Sequence, residues 1–260
     1  MTLSALPCPN RLIRLILAGR TRVRSLRLGM RATLRGARPD DLRRRLDDAR
    51  SGRVVALSHC LLNENVRHLG GATRPGALDE LVDAVQGASV GICQLPCPEQ
   101  QAWGGVLKRR VLRAYGSDRQ GLGRVRRLLT PLFLAYTRWR YRQLAHRVAA
   151  ELADDRGSGH RVVGIVGVDG SPSCGVQRSL DIDRAVGALA SCDPVATDAA
   201  AFNERIVLGS FVRGQGLFIS ALSHQLRRRR LPVPLCAHDL AGELGGQRGV
   251  DAALQRALVR

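Results

Sequence analysis

Three short aliphatic runs constrain the fold more than anything else in the chain: RVVALSH (53–59), SVGICQLP (89–96) and RVVGIVGV (161–168). Each has the length and β-branched content of a buried strand. Between them lie stretches with helical spacing. LDELVDAVQGA predicts a helix starting near Pro75, with proline in its first turn and acids nearby. A longer helix is expected from about Pro131 to Asp155, ending in the breaker run DDRGSG. WGGVLKRRVLRAYGSDRQGLGRVRRLL is basic and glycine-punctuated, and predicts short helices over a pocket. Further on, VATDAAAFNERIVLGSF and LFISALSHQLRRRR read as helices, FVRGQG as a loop and LPVPLCAH as a fourth short strand. Strands alternating with helices predict an α/β fold, a single open mostly parallel sheet with helices on both faces.

Composition narrows the setting. With 260 residues, 45% of them hydrophobic and only 3% aromatic, a sizeable core must be built from Leu, Val, Ile and Ala. No stretch reaches the roughly 18–20 apolar residues of a membrane-spanning helix. LIRLILAG, near the N-terminus, is interrupted by Arg14 and is too short and charged for a signal-peptide core. A cytoplasmic protein is expected. Seven cysteines, an odd number at irregular spacing, do not read as a secreted disulfide framework. The formal net charge of +19 rests almost wholly on arginine, since Lys108 is the sole lysine, and implies a field that attracts anions. Residues 1–50 are the most arginine-dense segment. They read as a basic N-terminal extension, either poorly ordered (with Met30 or a later residue as the start) or an arm for nucleic acid or a membrane surface. Residues 51–260 read as the α/β domain.

Each of the three runs delivers a cysteine. Cys60, Cys97 and Cys174 all follow a strand closely, and Cys97 is flanked by Pro96 and Pro98. Ligands of open α/β sheets collect outside the carboxyl ends of the strands, so three thiols from three strands can converge there. Three soft ligands with a fourth position open describe a reactive metal or iron–sulfur site better than a structural one. Taken singly, each cysteine reads first as a small buried hydrophobe, and it is their shared place at strand ends that favours a site. Cys93 lies within the second run and reads as core packing before a fourth ligand. His59 is expected to point away from Cys60, and Cys8, Cys192 and Cys236 read as incidental. Glu99, two residues past Cys97, is the best-placed carboxylate for acid–base work, and Asp169 and Ser171 lie at the matching edge of the third strand. The turn DGSPSCG can bring backbone N–H groups close to a charged ligand. No C-x2-C pair, P-loop or strand-following GxGxxG is present.

The segments SHCLLN, QLPCPE and DGSPSCG, in that order, resemble the 2-thiouracil desulfurase family over roughly residues 53–240. The resemblance implies a 4Fe–4S cluster held by Cys60, Cys97 and Cys174, with the fourth iron free to take the sulfur of a thiolated base. It implies removal of that sulfur, converting a thiocarbonyl to the oxo form. Glu99 and Ser171 would then be proton-transfer or substrate-orienting groups, and Arg67, Asp169 and Ser173 substrate contacts. The chain departs from the family where CLLN replaces CLLG, where NVRHLGG keeps only Arg67 and a glycine of an Arg-Tyr-Asp-Gly segment, and where WGGVLKRR replaces a Pro-Arg segment. A divergent branch with altered substrate contacts is expected. The alternatives are a zinc site on the same thiols, or a non-catalytic iron–sulfur module with a nucleic-acid-binding basic surface. A thiolated base or nucleotide is the expected partner, and tRNA a second. Arg109, Arg110 and Arg113 are the expected phosphate contacts.

Overall fold

The three aliphatic runs fold as β1 (Arg53–Ser58), β2 (Gly91–Leu95) and β3 (Arg161–Asp169) in a computed structural model of the chain. Two short strands follow, β4 (Arg178–Leu180) and β5 (Phe211–Arg213), and then β6 (Leu235–Asp239). The structure describes residues 46, 48–106, 108, 110, 123–190 and 197–259. Residues Ser51–Arg260 form a compact unit of their own. Nearly all of the basic extension lies outside the described residues, as do Met30, Cys8, Cys192, Arg109 and Arg113.

The Ser51–Arg260 unit is built on one open parallel sheet in the order β2-β1-β3-β6, with β4 and β5 forming a separate antiparallel pair. The described helices are α1 (His59–Leu62), α2 (Asp79–Gly87), α3 (Gly123–Gly157), α4 (Ile182–Ala190), α5 (Ala199–Phe202), α6 (Leu217–Arg228), α7 (Leu240–Leu244) and α8 (Ala252–Val259). Alternation along β1 sends Ala56 to one face and Val55 and Leu57 to the other. The Ala56 face packs against α3 and α6 through Tyr141, Leu144, Val148, Leu152, Phe218 and Leu222. The Val55 face packs against α2 and α8 through Leu81, Val85, Leu254 and Leu258. The expected class, a parallel α/β sheet covered on both faces, is what the chain adopts.

A bulge tunes the third strand. Val54 pairs with Val162 and Val55 with Gly164, so Val163 is an extra residue on β3. It therefore shares a face with Val166 and Val168, although strict alternation would set it with Ile165.

Several boundaries differ from expectation, each for a visible reason. The helix expected from Pro75 begins at Asp79, because 76–78 are tied back to the end of α1. Glu64 N–H donates to the Gly76 carbonyl (2.7 Å) and Leu78 N–H to the Leu61 carbonyl (2.9 Å). The long helix runs through Pro131 from Gly123, and its later turns are held by packing on α6. The segment expected as one helix over VATDAAAFNERIVLGSF is α5, capped by Asp198, then a π-turn (Asn203–Val207) and a 3-10 turn (Leu208–Ser210). FVRGQG is not all loop: Phe211–Arg213 pairs with Arg178–Leu180. The fourth strand starts only after Pro232 and Pro234, whose missing N–H groups keep them out of the ladder. Among the described residues, no helix is long and apolar enough to cross a membrane.

Candidate functional site

The strand order reverses between β1 and β3: β2 lies on one side of β1, and β3 and β6 on the other. A crevice opens at such a switch point, outside the carboxyl ends of the strands. A cavity of about 220 Å³ lies there, and its lining includes Cys60, Cys97, Cys174, Glu99, Ser171, Ser173 and Arg67. Seven of the eight residues singled out from the sequence thus meet at one place.

Each thiol is set by its own local structure. β1 passes directly into α1, so Cys60 sits in a helical turn rather than a loop, and the Ser58 hydroxyl at the end of β1 donates to the Val166 carbonyl of the neighbouring β3 (2.9 Å). Cys97 leaves β2 between its two prolines, and its sulfur accepts the Gln100 N–H (3.4 Å). Cys174 is the most enclosed. Its loop is pressed onto β3, where the Val168 N–H donates to the Cys174 carbonyl (2.9 Å). A Cβ at Gly167 would overlap that carbonyl oxygen, and one at Gly175 would overlap the Arg178 carbonyl oxygen, so both positions require glycine.

Burial pushes the Cys60 thiol up to about 12, and raises Cys97 and Cys174 as well. Cys97 further raises Cys60, and Cys60 and Cys97 further raise Cys174, because a charge on one is felt by its neighbour. Unassisted, these are neutral thiols at neutral pH. Metal ligation requires thiolates, which a bound cationic centre would stabilise in place of water. Among the described residues, no group of three His, Cys, Asp or Glu side chains is arranged to hold a single metal ion.

Glu99 bridges the two cysteine loops. Its Oε1 accepts from the Ser173 hydroxyl (2.9 Å) and the Ser171 hydroxyl (3.2 Å), and its Oε2 pairs with the Lys108 ammonium at 2.7 Å. Burial alone would raise its pKa, but Lys108 and Ser173 outweigh that and hold the carboxyl below the ordinary range. Lys108 is raised in turn, Glu99 overcoming the effect of burial. The pair is an ionised carboxylate locked to its counter-ion at the cavity wall.

Asp169 was expected to contact substrate, and the structure places its carboxylate elsewhere. Its Oδ1 accepts the backbone N–H groups of Val176 (2.9 Å), Gln177 (2.8 Å) and Arg178 (3.2 Å), which closes the Cys174 loop from behind. Replacing Asp169 by alanine should leave three N–H groups without that acceptor and cost about 2–4 kcal/mol in urea unfolding. A loss below about 0.5 kcal/mol would mean that the loop finds other acceptors.

Arg67 lines the cavity but is anchored on the far side. Its Nη1 donates to Glu243 Oε1 (2.7 Å) and to the Gly71 carbonyl (3.2 Å), while Nε and Nη2 have no hydrogen-bond partner although buried. Behind it, Arg74 pairs with Glu64 and Glu243, and His238 with Glu243. Arg110 serves structure: its Nη1 donates to the Ala102 carbonyl (3.2 Å) and to the Tyr136 hydroxyl (3.0 Å).

The other cysteines lie apart. Cys93 has its sulfur 3.8 Å from Glu151, with its thiol raised by burial to about 11, and Cys236 is buried in the core beside Gly164. His59 was expected to face away; because the strand stops at Ser58, it lines the cavity and bonds Gln94.

Sequence reasoning missed Lys108, whose only signal is that it is the sole lysine, and His68. The Asn203 amide donates to the Gly70 carbonyl (2.7 Å), so its oxygen faces His68 Nε2 (3.0 Å). Nε2 must then carry the proton, and Nδ1 is the bare acceptor. Burial lowers the His68 pKa and keeps the ring neutral. Comparison with family models, with curated proteins and with solved structures finds no match to this chain.

Proposed function

We propose that the site holds a 4Fe–4S cluster on Cys60, Cys97 and Cys174 and removes sulfur from a small thiocarbonyl compound. The observation that carries this reading is the meeting of three thiols from three strand ends in one cavity with an ionised carboxylate. The donor set fits the group. Cluster thiolates bind separate irons, so they need not close on one point, whereas zinc requires sulfurs about 2.3 Å from a common centre. Bound there, the cluster would supply an open iron as acceptor for sulfur.

The reaction balances as a hydrolysis: the thiocarbonyl and water give the carbonyl compound and hydrogen sulfide. Glu99 is held ionised by Lys108, so it can take a proton from the water that adds to the thiocarbonyl carbon. Ser171 and Ser173, both bonded to the same carboxylate oxygen, fix its direction and can return a proton to the departing sulfur. Replacing Glu99 by glutamine should leave iron content near wild type and lower turnover by about 10²- to 10⁴-fold. Loss of iron in that variant would make Glu99 a structural residue instead.

The reading as a whole is tested by anaerobic purification, with iron, sulfide and zinc measured per chain. Sulfide release from 2-thiouracil, a thiolated nucleoside and thiolated tRNA is assayed next. Zinc in place of iron, or no sulfide from any of the three, would overturn it.

A further inference from the structure

The cavity has two chemically distinct halves. Thiols, serines and the Glu99–Lys108 pair form one end, and the opposite wall is aliphatic. That wall comes from α4, where Ile182, Ala185, Val186 and Leu189 recur at the i, i+3, i+4, i+7 spacing of one helical face. Such a face ordinarily buries itself against a core. Here Ile182, Ala185 and Leu189 are only half-buried, because the space in front of them is the cavity. Phe202 and Ile206, on α5 and the following π-turn, complete the wall.

The charged groups at the cavity argue in the same direction. Lys108 is paired with Glu99, and Arg67 has one arm on Glu243. No unpaired cation among the described lining residues is placed to receive a phosphate.

From these two halves we infer that the compound taken by this site carries an alkyl or aryl substituent beside its thiocarbonyl head, and that the α4 wall selects it. The identity of the head rests on the desulfurase reading; the preference for the tail does not. A bare pyrimidine would leave the α4 face against water, whereas an alkyl tail would cover it.

The test uses full-length protein purified anaerobically and four probes: uracil, 2-thiouracil, 6-propyluracil and 6-propyl-2-thiouracil. Each methylene moved from water to an apolar wall is worth roughly fourfold in affinity, so propyl should tighten binding by about 30- to 60-fold on either head. Ala185→Leu, which fills the chamber without adding polarity, should abolish the propyl gain, read as the ratio of propyl to unsubstituted affinity on the same head. Leu189→Asp should do the same by making the wall polar. Equal affinities for propyl and unsubstituted probes in the wild type, or a propyl gain that survives both substitutions, would overturn the inference. The two readings fail separately. Sulfide released from 2-thiouracil with no propyl effect keeps the desulfurase and removes the chamber. A propyl effect on both heads with no sulfide released keeps the chamber and removes the desulfurase.

Discussion

Serine at Cys60, Cys97 or Cys174 is expected to remove most of the iron from anaerobically purified protein, each substitution acting alone. The same change at Cys93 or Cys236 should leave iron content near wild type. Each of the three thiols stands just past a different strand end, so no neighbour could substitute for a lost one. Serine matches cysteine in shape, but its hydroxyl is far harder to deprotonate and is a poor ligand for iron. Cys93 cannot step in, because its sulfur faces Glu151. Serine at Cys8 or Cys192, which lie outside the described residues, should likewise leave the iron in place. Retention of an unchanged visible spectrum in any one of the three variants would refute the ligand assignment. Thermal melts run beside the iron analysis separate ligand loss from unfolding.

The second large effect should come from the buried ion network behind Arg67. Glu243 receives Arg67, Arg74, Thr73 and His238, and is itself only 4% exposed. Glu243→Gln would leave two buried guanidinium groups short of negative charge, and should destabilise the fold by about 3–5 kcal/mol in urea unfolding. Burial favours the neutral form of Glu243, but hydrogen bonds from His238, Arg67 and Thr73 prevail and hold its carboxyl well below the ordinary range. The unfolded chain therefore takes up this proton first as pH falls. Its contribution is full above an unfolded value of about 4.3 and is lost below it, down through the depressed folded value. In the variant, the acid limb of the stability curve should flatten, while Glu80 and Glu99, also held low, keep part of the slope. A loss of under about 1 kcal/mol with an unaltered acid limb would show that the arginines find other partners.

What could be read from sequence follows from how local each signal is. The β1, β2 and β3 runs declare themselves, because strands buried on both faces are continuous aliphatic stretches. The cysteine positions follow from those strand ends, and so does their meeting at the switch point. β4 escapes notice because RSL is too short to show periodicity, and its partner Phe211–Arg213 is distant in the chain. The π-turn after α5 is equally hidden: it turns Asn203 toward Gly70, a contact made only once the chain has folded. Asp169 sits where a substrate contact would be expected, yet its Oδ1 is taken by three N–H groups of its own loop. A sequence gives the address of a carboxylate at a sheet edge, but not which way it faces. Lys108 gains its role only through the 2.7 Å pair with Glu99.

The two glycines pressed against the Cys174 loop bear on how a cluster would enter. With Gly167 and Gly175 leaving no slack around the Cys174 and Arg178 carbonyls, and Asp169 closing the loop, the thiol is held in place by protein contacts alone. Many small metal domains fold only when the metal arrives. This chain should instead behave as a finished mould: the empty protein folds first, and iron and sulfide are delivered to a waiting seat. Amide exchange across residues 167–176 should then be nearly the same before and after loading, and the pace of maturation should follow the supply of iron rather than any refolding step.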